Sequence, residues 1–168
     1  MIGLVFFEKS PRNVTIEAAA DLAAFARDKA DGNLQIVALT VNADYAELET
    51  ICTDVQPDIL QLHGSETADH ARHIKALTNT TIMKAIGVSE AADFDRLKPY
   101  NGVADRLLID AKPPKGSVLP GGNGLTFDWS ILDALTQDIS AGLPVMLSGG
   151  LTPANVTAAV HLSHAHPV

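Results

Sequence analysis

The sequence predicts an α/β fold: a barrel of the (β/α)8 type, built from six parallel strands that are each followed by a helix. Short β-branched runs alternate with alanine-rich stretches of helical period along the 168 residues, which is the pattern of repeated βα units. The runs are apolar throughout, as in parallel strands buried on both faces. Nearly every run ends in a polar or glycine-containing segment. Because all strand ends of a barrel converge on one site, whereas an open sheet needs such residues only at its switch point, a barrel is favoured.

The first βα unit illustrates how each element is predicted. Residues 2–7 are a short apolar run, which indicates a strand. Residues 16–30 place Ala19, Leu22 and Ala23 on one face at helical spacing, which predicts a helix that turns this face to the core. By the same criteria, strands are predicted at residues 2–7, 36–41, 59–63, 81–88, 106–110 and 145–148, and helices at 16–30, 44–54, 68–77, 91–98, 129–135 and after Pro153.

Capping residues mark where several of these helices begin. Thr15, Asp128 and Thr152 stand where a side-chain oxygen can accept the first backbone N–H groups of a helix. Pro153 suits a first helical position, where its missing N–H costs nothing. The whole chain, residues 1–168, is predicted to be a single domain.

Composition limits the class of partner. The chain has 12 Lys and Arg against 20 Asp and Glu, a net charge of −8, which disfavours nucleic acid and favours a small-molecule substrate. No apolar run approaches the roughly 18 residues of a membrane span, so a cytoplasmic protein is predicted. The single cysteine, Cys52, excludes an internal disulfide and any multi-cysteine metal site. His70 and His73 have no cysteine or acidic partner at ligand spacing, so no metal site is predicted.

A long connection follows the fifth strand. Residues 111–127 are seventeen residues rich in lysine, proline and glycine, whereas most connections have about four to six residues, and longer ones are usually binding loops, lids or disorder. Its Gly-Gly-Asn-Gly run lies in a long loop rather than in a tight strand-to-helix turn, so a dinucleotide fingerprint is not indicated, and no cofactor is predicted. The length of the connection therefore indicates a binding loop, a lid or disorder.

Four sequence segments resemble successive loop motifs of the phosphoribosylanthranilate isomerase family, a tryptophan-pathway barrel. They are KSPRNVT (9–15), QLHG (61–64), LLIDAKPP with PGGNGLTFDWS (107–114 and 120–130) and LSGGLTPANV (147–156). Their order and spacing match over essentially the whole chain. The resemblance implies an Amadori rearrangement of a small phosphorylated aminosugar: an acid opens the ribose ring to a Schiff base, and a base then removes the C2 proton.

The resemblance makes Asp110 the general acid. This residue follows an apolar strand and precedes the long connection, so partial desolvation is expected to raise its pKa and keep some of it protonated. A strand-end aspartate that only caps a turn is the alternative, and without the neighbouring motifs it would be the better interpretation.

Six further residues are implied to bind the substrate. Arg12 resembles the residue that binds the anthranilate carboxylate, for which a guanidinium is the right shape, and a solvated surface arginine is the alternative. His63 would orient the substrate, or serve as a hydrogen-bonded structural histidine. Gly149 and Gly150 would present backbone N–H groups to the phosphate, or form a plain tight turn. Gly122 and Gly124 would let the long loop close over the substrate, with disorder as the alternative.

Two motifs of the family are absent from the sequence. One is the opening strand whose cysteine is the general base, and the other is the last strand segment that helps to hold the phosphate. The resemblance therefore implies an incomplete barrel with the equivalents of strands two to seven, and weak or no activity in isolation. Strands left at open edges expose backbone groups, so a homodimer or higher oligomer is expected.

Two other functions stay open. A noncatalytic barrel fragment that binds phosphate or assembles with a complementary piece is the first. A related phosphosugar barrel such as indole-glycerol-phosphate synthase is the second, which the Gly-Gly-Asn-Gly and Phe-Asp-Trp run (121–129) makes the weaker interpretation.

Overall fold

Strands and helices alternate along the chain as predicted. The computed structural model describes residues 1–30, 32–112, 128–134, 140 and 142–163. The elements are β1 (Ile2–Phe6), α1 (Ile16–Lys29), β2 (Ile36–Thr40), α2 (Tyr45–Asp54), β3 (Ile59–Leu62), α3 (Ala68–Thr78), β4 (Thr81–Val88), a 3-10 helix (Ala91–Tyr100), β5 (Arg106–Ala111), a 3-10 helix (Trp129–Ala134), β6 (Val145–Leu147) and α4 (Val156–Ser163).

The six strands form one sheet in the order β1-β2-β3-β4-β5-β6, which confirms the predicted parallel α/β architecture. The described residues fall into two compact units, Met1–Met83 and Lys84–Val168. A strand order that follows the chain order is what repeated right-handed βα units produce. That the chain is a single domain stays a prediction.

In the first unit, the carboxyl ends of three strands lie side by side. Phe6 of β1 pairs with Thr40 of β2, and Thr40 pairs with Leu62 of β3. The ladder continues one residue further, because the backbone N–H of His63 donates to the carbonyl of Thr40 at 2.9 Å. The loops that follow these strands therefore leave the sheet at one edge.

The second unit repeats this arrangement. Leu107 to Ile109 of β5 run parallel to Val145 to Leu147 of β6. The N–H of Ser148 donates to the carbonyl of Ile109 at 2.8 Å, and the N–H of Lys112 donates to the carbonyl of Val88 at 2.9 Å. Asp110 and the Ser148–Gly149–Gly150 segment therefore leave neighbouring strands at the same edge.

Aliphatic residues of strands and helices form the core, and only part of the predicted helix face belongs to it. Ala19 and Ala23 of α1 are fully buried, as predicted, but Leu22 is 50% exposed, so its assignment to the core was wrong. At about 100° per residue, Leu22 lies some 60° away from Ala19 around the helix, at the margin of the buried stripe.

Three helices differ from the prediction in kind or start. Residues 91–100 and 129–134 form 3-10 helices rather than α-helices, and in the first of them Pro99 lacks the N–H that an α-helix would need. The helix expected directly after Pro153 begins at Val156. Among the predicted caps, Thr15 accepts the N–H of Ala18 at 3.2 Å, and Asp128 accepts the N–H of Ser130 at 3.0 Å.

Candidate functional site

Asp110 is a buried carboxylate at the carboxyl end of β5. Its residue is only 3% exposed, and its Oδ1 accepts the backbone N–H of Ala111 at 2.9 Å. Few strand-end aspartates in globular proteins are buried to this extent, because an ionised carboxylate loses hydration when it is buried. The burial agrees with the partial desolvation predicted for a general acid.

Gly149 lies directly against this carboxylate. A Cβ atom built on Gly149 would be 2.8 Å from Oδ1 of Asp110 and 2.9 Å from the backbone nitrogen of Ala111. The backbone of Gly149 also has a φ of +92°, which L-residues with side chains rarely adopt. The structure thus brings together Asp110 and Gly149, two residues that the sequence assigned to acid catalysis and phosphate binding.

Asn155 organises the turn that follows, and it is a residue that the sequence analysis missed. Its side-chain amide donates to the carbonyl of Gly150 at 3.0 Å, and its Oδ1 accepts the N–H of Thr152 at 2.6 Å. The carbonyl of Thr152 accepts the N–H of Val156 at 2.9 Å, so Asn155 fixes the turn that leads from Gly150 into α4. An asparagine three residues after Thr152 is a signal for such a local hydrogen bond.

Arg12 lies in the connection between β1 and α1, with an exposed side chain. Its backbone is braced, because the N–H of Arg12 donates to Oγ of the buried Ser10 at 3.2 Å. Oδ1 of Asn13 accepts the N–H of Phe7 at 2.7 Å, and the N–H of Val14 donates to the carbonyl of Val5 at 3.0 Å. The chain therefore presents Arg12 from a fixed loop, which suits either a ligand-binding or a solvated arginine.

His63 is the first residue after β3, and it is 8% exposed. Its Nδ1 lies 3.3 Å from the side-chain nitrogen of Gln61. The imidazole is thus oriented by a neighbour on the same strand, as the sequence allowed. Whether it contacts substrate stays a prediction.

Lys112, two residues after Asp110, forms an ion pair with Asp93. The sequence alone did not indicate this pair. The ammonium of Lys112 donates to Oδ1 of Asp93 at 2.9 Å, and the N–H of Ser89 donates to Oδ2 at 2.9 Å. Burial opposes ionisation of Asp93, but the hydrogen bonds from Lys112 and Ser89 outweigh it, so the pKa of Asp93 lies below its usual range. The ion pair joins Lys112, just after the candidate acid Asp110, to the 3-10 helix that contains Asp93.

The chain is similar throughout to one family of enzymes. Residues 1–168 match the family model described as N-(5'phosphoribosyl)anthranilate (PRA) isomerase. The chain belongs to this family. The function predicted from the motifs, isomerisation of phosphoribosylanthranilate, is thereby confirmed as the function of the family.

Curated relatives and solved structures agree with this assignment. An N-(5'-phosphoribosyl)anthranilate isomerase of Paramagnetospirillum magneticum is 53% identical over 167 residues, which are 99% of this chain and 74% of the relative. One of Rhizobium meliloti is 49% identical, with the same coverage. The crystal structure of the Thermotoga maritima enzyme matches 97% of this chain and 72% of that chain, with a TM-score of 0.77 and 29% identity. The barrel architecture predicted from the strand ends is therefore confirmed.

Cys52 lies on a helix and not at the carboxyl end of a strand. The residue lies in α2, which precedes β3, and its Sγ is 3.6 Å from Oγ1 of Thr80. Burial raises the pKa of the Cys52 thiol, so the thiolate that could abstract a proton is disfavoured. The position of Cys52 in the helix before β3 is as predicted, and that it does not act as the base stays a prediction.

Gly122 and Gly124, which the resemblance implied to bind the substrate, lie outside the described residues, as does most of the connection that contains them. Their role in covering the substrate stays a prediction. Among the described residues, no helix is long and apolar enough to cross a membrane.

Proposed function

We propose that these 168 residues supply the general acid and the substrate-binding groups of a PRA isomerase site, with Asp110 as the acid. The observation that carries this proposal is the burial of the Asp110 carboxylate against Gly149, at the edge where the strands of this fold place their catalytic groups. A carboxylic acid at this position can donate a proton to a substrate oxygen, which is the role of a general acid.

In the proposed reaction, Asp110 transfers its proton to the ribose ring oxygen. The bond between this oxygen and C1 breaks, the oxygen becomes the C4 hydroxyl, and the nitrogen lone pair forms the C1=N bond of a protonated Schiff base. A base then takes the proton from C2, and the electrons of that bond form the enolamine. Tautomerisation of the enolamine to the C2 ketone completes the rearrangement without an external oxidant or reductant.

The phosphate is proposed to bind at the backbone of Gly149 and Gly150. Both have positive φ, at +92° and +60°, which turns successive peptide groups in a way that can gather N–H donors around an anion. Because Asn155 holds the carbonyl of Gly150, and because the C=O and N–H of a trans peptide point in opposite directions, the N–H of Leu151 points away from Asn155. That N–H is then available on the ligand side of the turn.

Arg12 is proposed to bind the anthranilate carboxylate, and this role is tested by substitution. Arg12→Ala is expected to weaken binding of the reduced product analogue, reduced 1-(o-carboxyphenylamino)-1-deoxyribulose 5-phosphate, by about 10- to 100-fold, because a charge-assisted hydrogen bond contributes roughly 1.5–3 kcal/mol. Arg12→Lys should recover part of the loss. Isothermal titration calorimetry measures both, with Arg72→Ala on the exposed face of α3 as the control. Equal affinities of wild type and Arg12→Ala would remove Arg12 from the site.

The base is proposed to lie outside these residues, so that turnover by them alone is weak and is measured with protein in excess over substrate. The only cysteine among them is Cys52, whose burial in α2 argues against proton abstraction. The same observation favours the second candidate, a noncatalytic barrel fragment that binds phosphate. Binding of the reduced product analogue with no turnover above background, even with protein in excess over substrate, would support the second candidate over the first.

Self-association is proposed as well. Ile2 of β1 is 40% exposed, and Leu22 and Phe25, which are neighbours at i and i+3 on α1, are 50% and 63% exposed. A homodimer or higher oligomer would cover this surface, in the cytoplasm as proposed from the composition. Light scattering on a size-exclusion column is expected to give at least twice the mass of 17.7 kDa. A monomer mass at high concentration would contradict this.

A further inference from the structure

The loops after β2 and β3 are fastened together by one buried carboxylate. Glu66 is 3% exposed. Its Oε1 accepts the N–H of Asn42 at 2.8 Å, and its two oxygens accept the N–H of Gly64 at 3.1 and 3.0 Å. Because carboxylates accept backbone N–H groups more strongly than neutral acceptors do, these bonds hold the first residues after both strands in place.

A second set of contacts joins the same two loops. Oδ1 of Asn42 accepts the N–H of Ser65 at 2.8 Å and the hydroxyl of Ser65 at 3.1 Å. A Cβ on Gly64 would be 2.5 Å from Oδ1 of Asn42 and 2.8 Å from its backbone nitrogen. The junction formed by Asn42, Gly64, Ser65 and Glu66, here termed the interloop clasp, therefore requires glycine and permits little movement.

His63 is enclosed between the end of the sheet and the interloop clasp. Its N–H donates to the carbonyl of Thr40 at 2.9 Å on one side, and the clasp begins with the next residue, Gly64, on the other. The imidazole in turn lies 3.3 Å from the side chain of Gln61. Both peptide groups that flank His63 are thus fixed, and so is the direction in which its ring leaves the backbone.

We propose that Glu66 is a positioning residue for His63: the clasp holds the backbone so that the imidazole points to the substrate at the mouth of β3. This inference rests on the proposed function, which gives His63 a substrate contact. A carboxylate suits this role because several N–H donors converge on it. Glutamine would turn one amide N–H₂ toward these donors, and aspartate is one methylene too short to reach both loops.

The test combines a structural readout with an affinity readout. The ring signals of His63, assigned by their loss in His63→Ala, are recorded by NMR in wild type, Glu66→Gln and Glu66→Asp. We expect both Glu66 variants to shift these signals. The matched control Glu49→Gln, on the exposed face of α2, should leave them unchanged. This readout needs no ligand, so it separates the positioning role of Glu66 from the proposed function. Unchanged His63 signals in a folded Glu66 variant would overturn the inference.

Affinity for the reduced product analogue then shows whether Glu66 acts through His63. Glu66→Gln is expected to weaken binding by about 10-fold, and Glu66→Gln combined with His63→Ala should bind no more weakly than His63→Ala alone, since residues that act as one unit are not additive. Independent, additive losses would overturn the inference, because Glu66 would then stabilise the fold without acting through His63. Absence of analogue binding by the wild type, together with shifted His63 signals, would instead overturn the proposed function while the positioning of His63 stands.

Discussion

Replacing Gly149 with alanine is expected to lower turnover of phosphoribosylanthranilate by about 100-fold or more, because a displacement of about 1 Å at a catalytic group can cost this much. The added Cβ would lie 2.8 Å from Oδ1 of Asp110 and 2.9 Å from the nitrogen of Ala111, so the carboxylate or the turn has to move. The φ of +92° adds backbone strain of roughly 1–2 kcal/mol. Turnover with protein in excess and thermal unfolding measure the two effects.

Gly142 provides the matched control for this substitution. Its φ of +71° imposes a similar strain on an alanine, but a Cβ there would meet nothing within 4 Å. Gly142→Ala should therefore lose stability and keep turnover, whereas Gly149→Ala should lose both. Equal turnover in the two variants would show that the approach of Gly149 to Asp110 has no part in catalysis.

Asp110→Asn is expected to reduce turnover by about 10²- to 10⁴-fold, the usual contribution of a general acid, while binding of the reduced product analogue changes little. The amide is close to the carboxyl group in size and can still accept the N–H of Ala111, so the fold at β5 should persist. It cannot donate an acidic proton to the ring oxygen. Single-turnover kinetics and calorimetry on the same preparation separate the chemical step from binding.

Asp21→Asn, on the exposed face of α1, controls for a general effect of removing a negative charge. It should match the wild type in both turnover and affinity. If Asp110→Asn lost affinity and turnover in the same proportion, Asp110 would be a binding group, and the acid would have to be sought elsewhere.

Much of the fold was predictable because buried parallel strands appear in the sequence as short continuous apolar runs. The run Leu107-Leu108-Ile109 is apolar on both faces, so it could only be a covered strand, and the structure buries all three. The helix boundaries were less predictable, since they depend on which side chains form hydrogen bonds with the backbone at the helix ends. Asn155, for example, accepts the N–H of Thr152 and donates to the carbonyl of Gly150. The regular helix begins only at Val156.

The positions of the candidate site residues at the strand ends could be predicted, but their contacts could not. Strand ends place Asp110 and Gly149 at one edge, and the motifs that resemble the isomerase family identified both. The 2.8 Å approach between them depends on the register of β5 and β6, which no local pattern encodes. The roles of Glu66 and Asn42 could not be predicted either. Their hydrogen bond joins two loops that are 24 residues apart in the chain, and no local pattern indicates such a contact.

The most direct test of the central claim is a crystal structure of the chain with the reduced product analogue bound. The proposed site predicts the phosphate at the backbone N–H groups of the Gly149–Gly150 turn, and the Asp110 carboxylate about 3 Å from the C4 oxygen, which is the ring oxygen before ring opening. A phosphate bound elsewhere, with Asp110 beyond hydrogen-bonding reach of the sugar, would contradict the assignment of Asp110 as the acid.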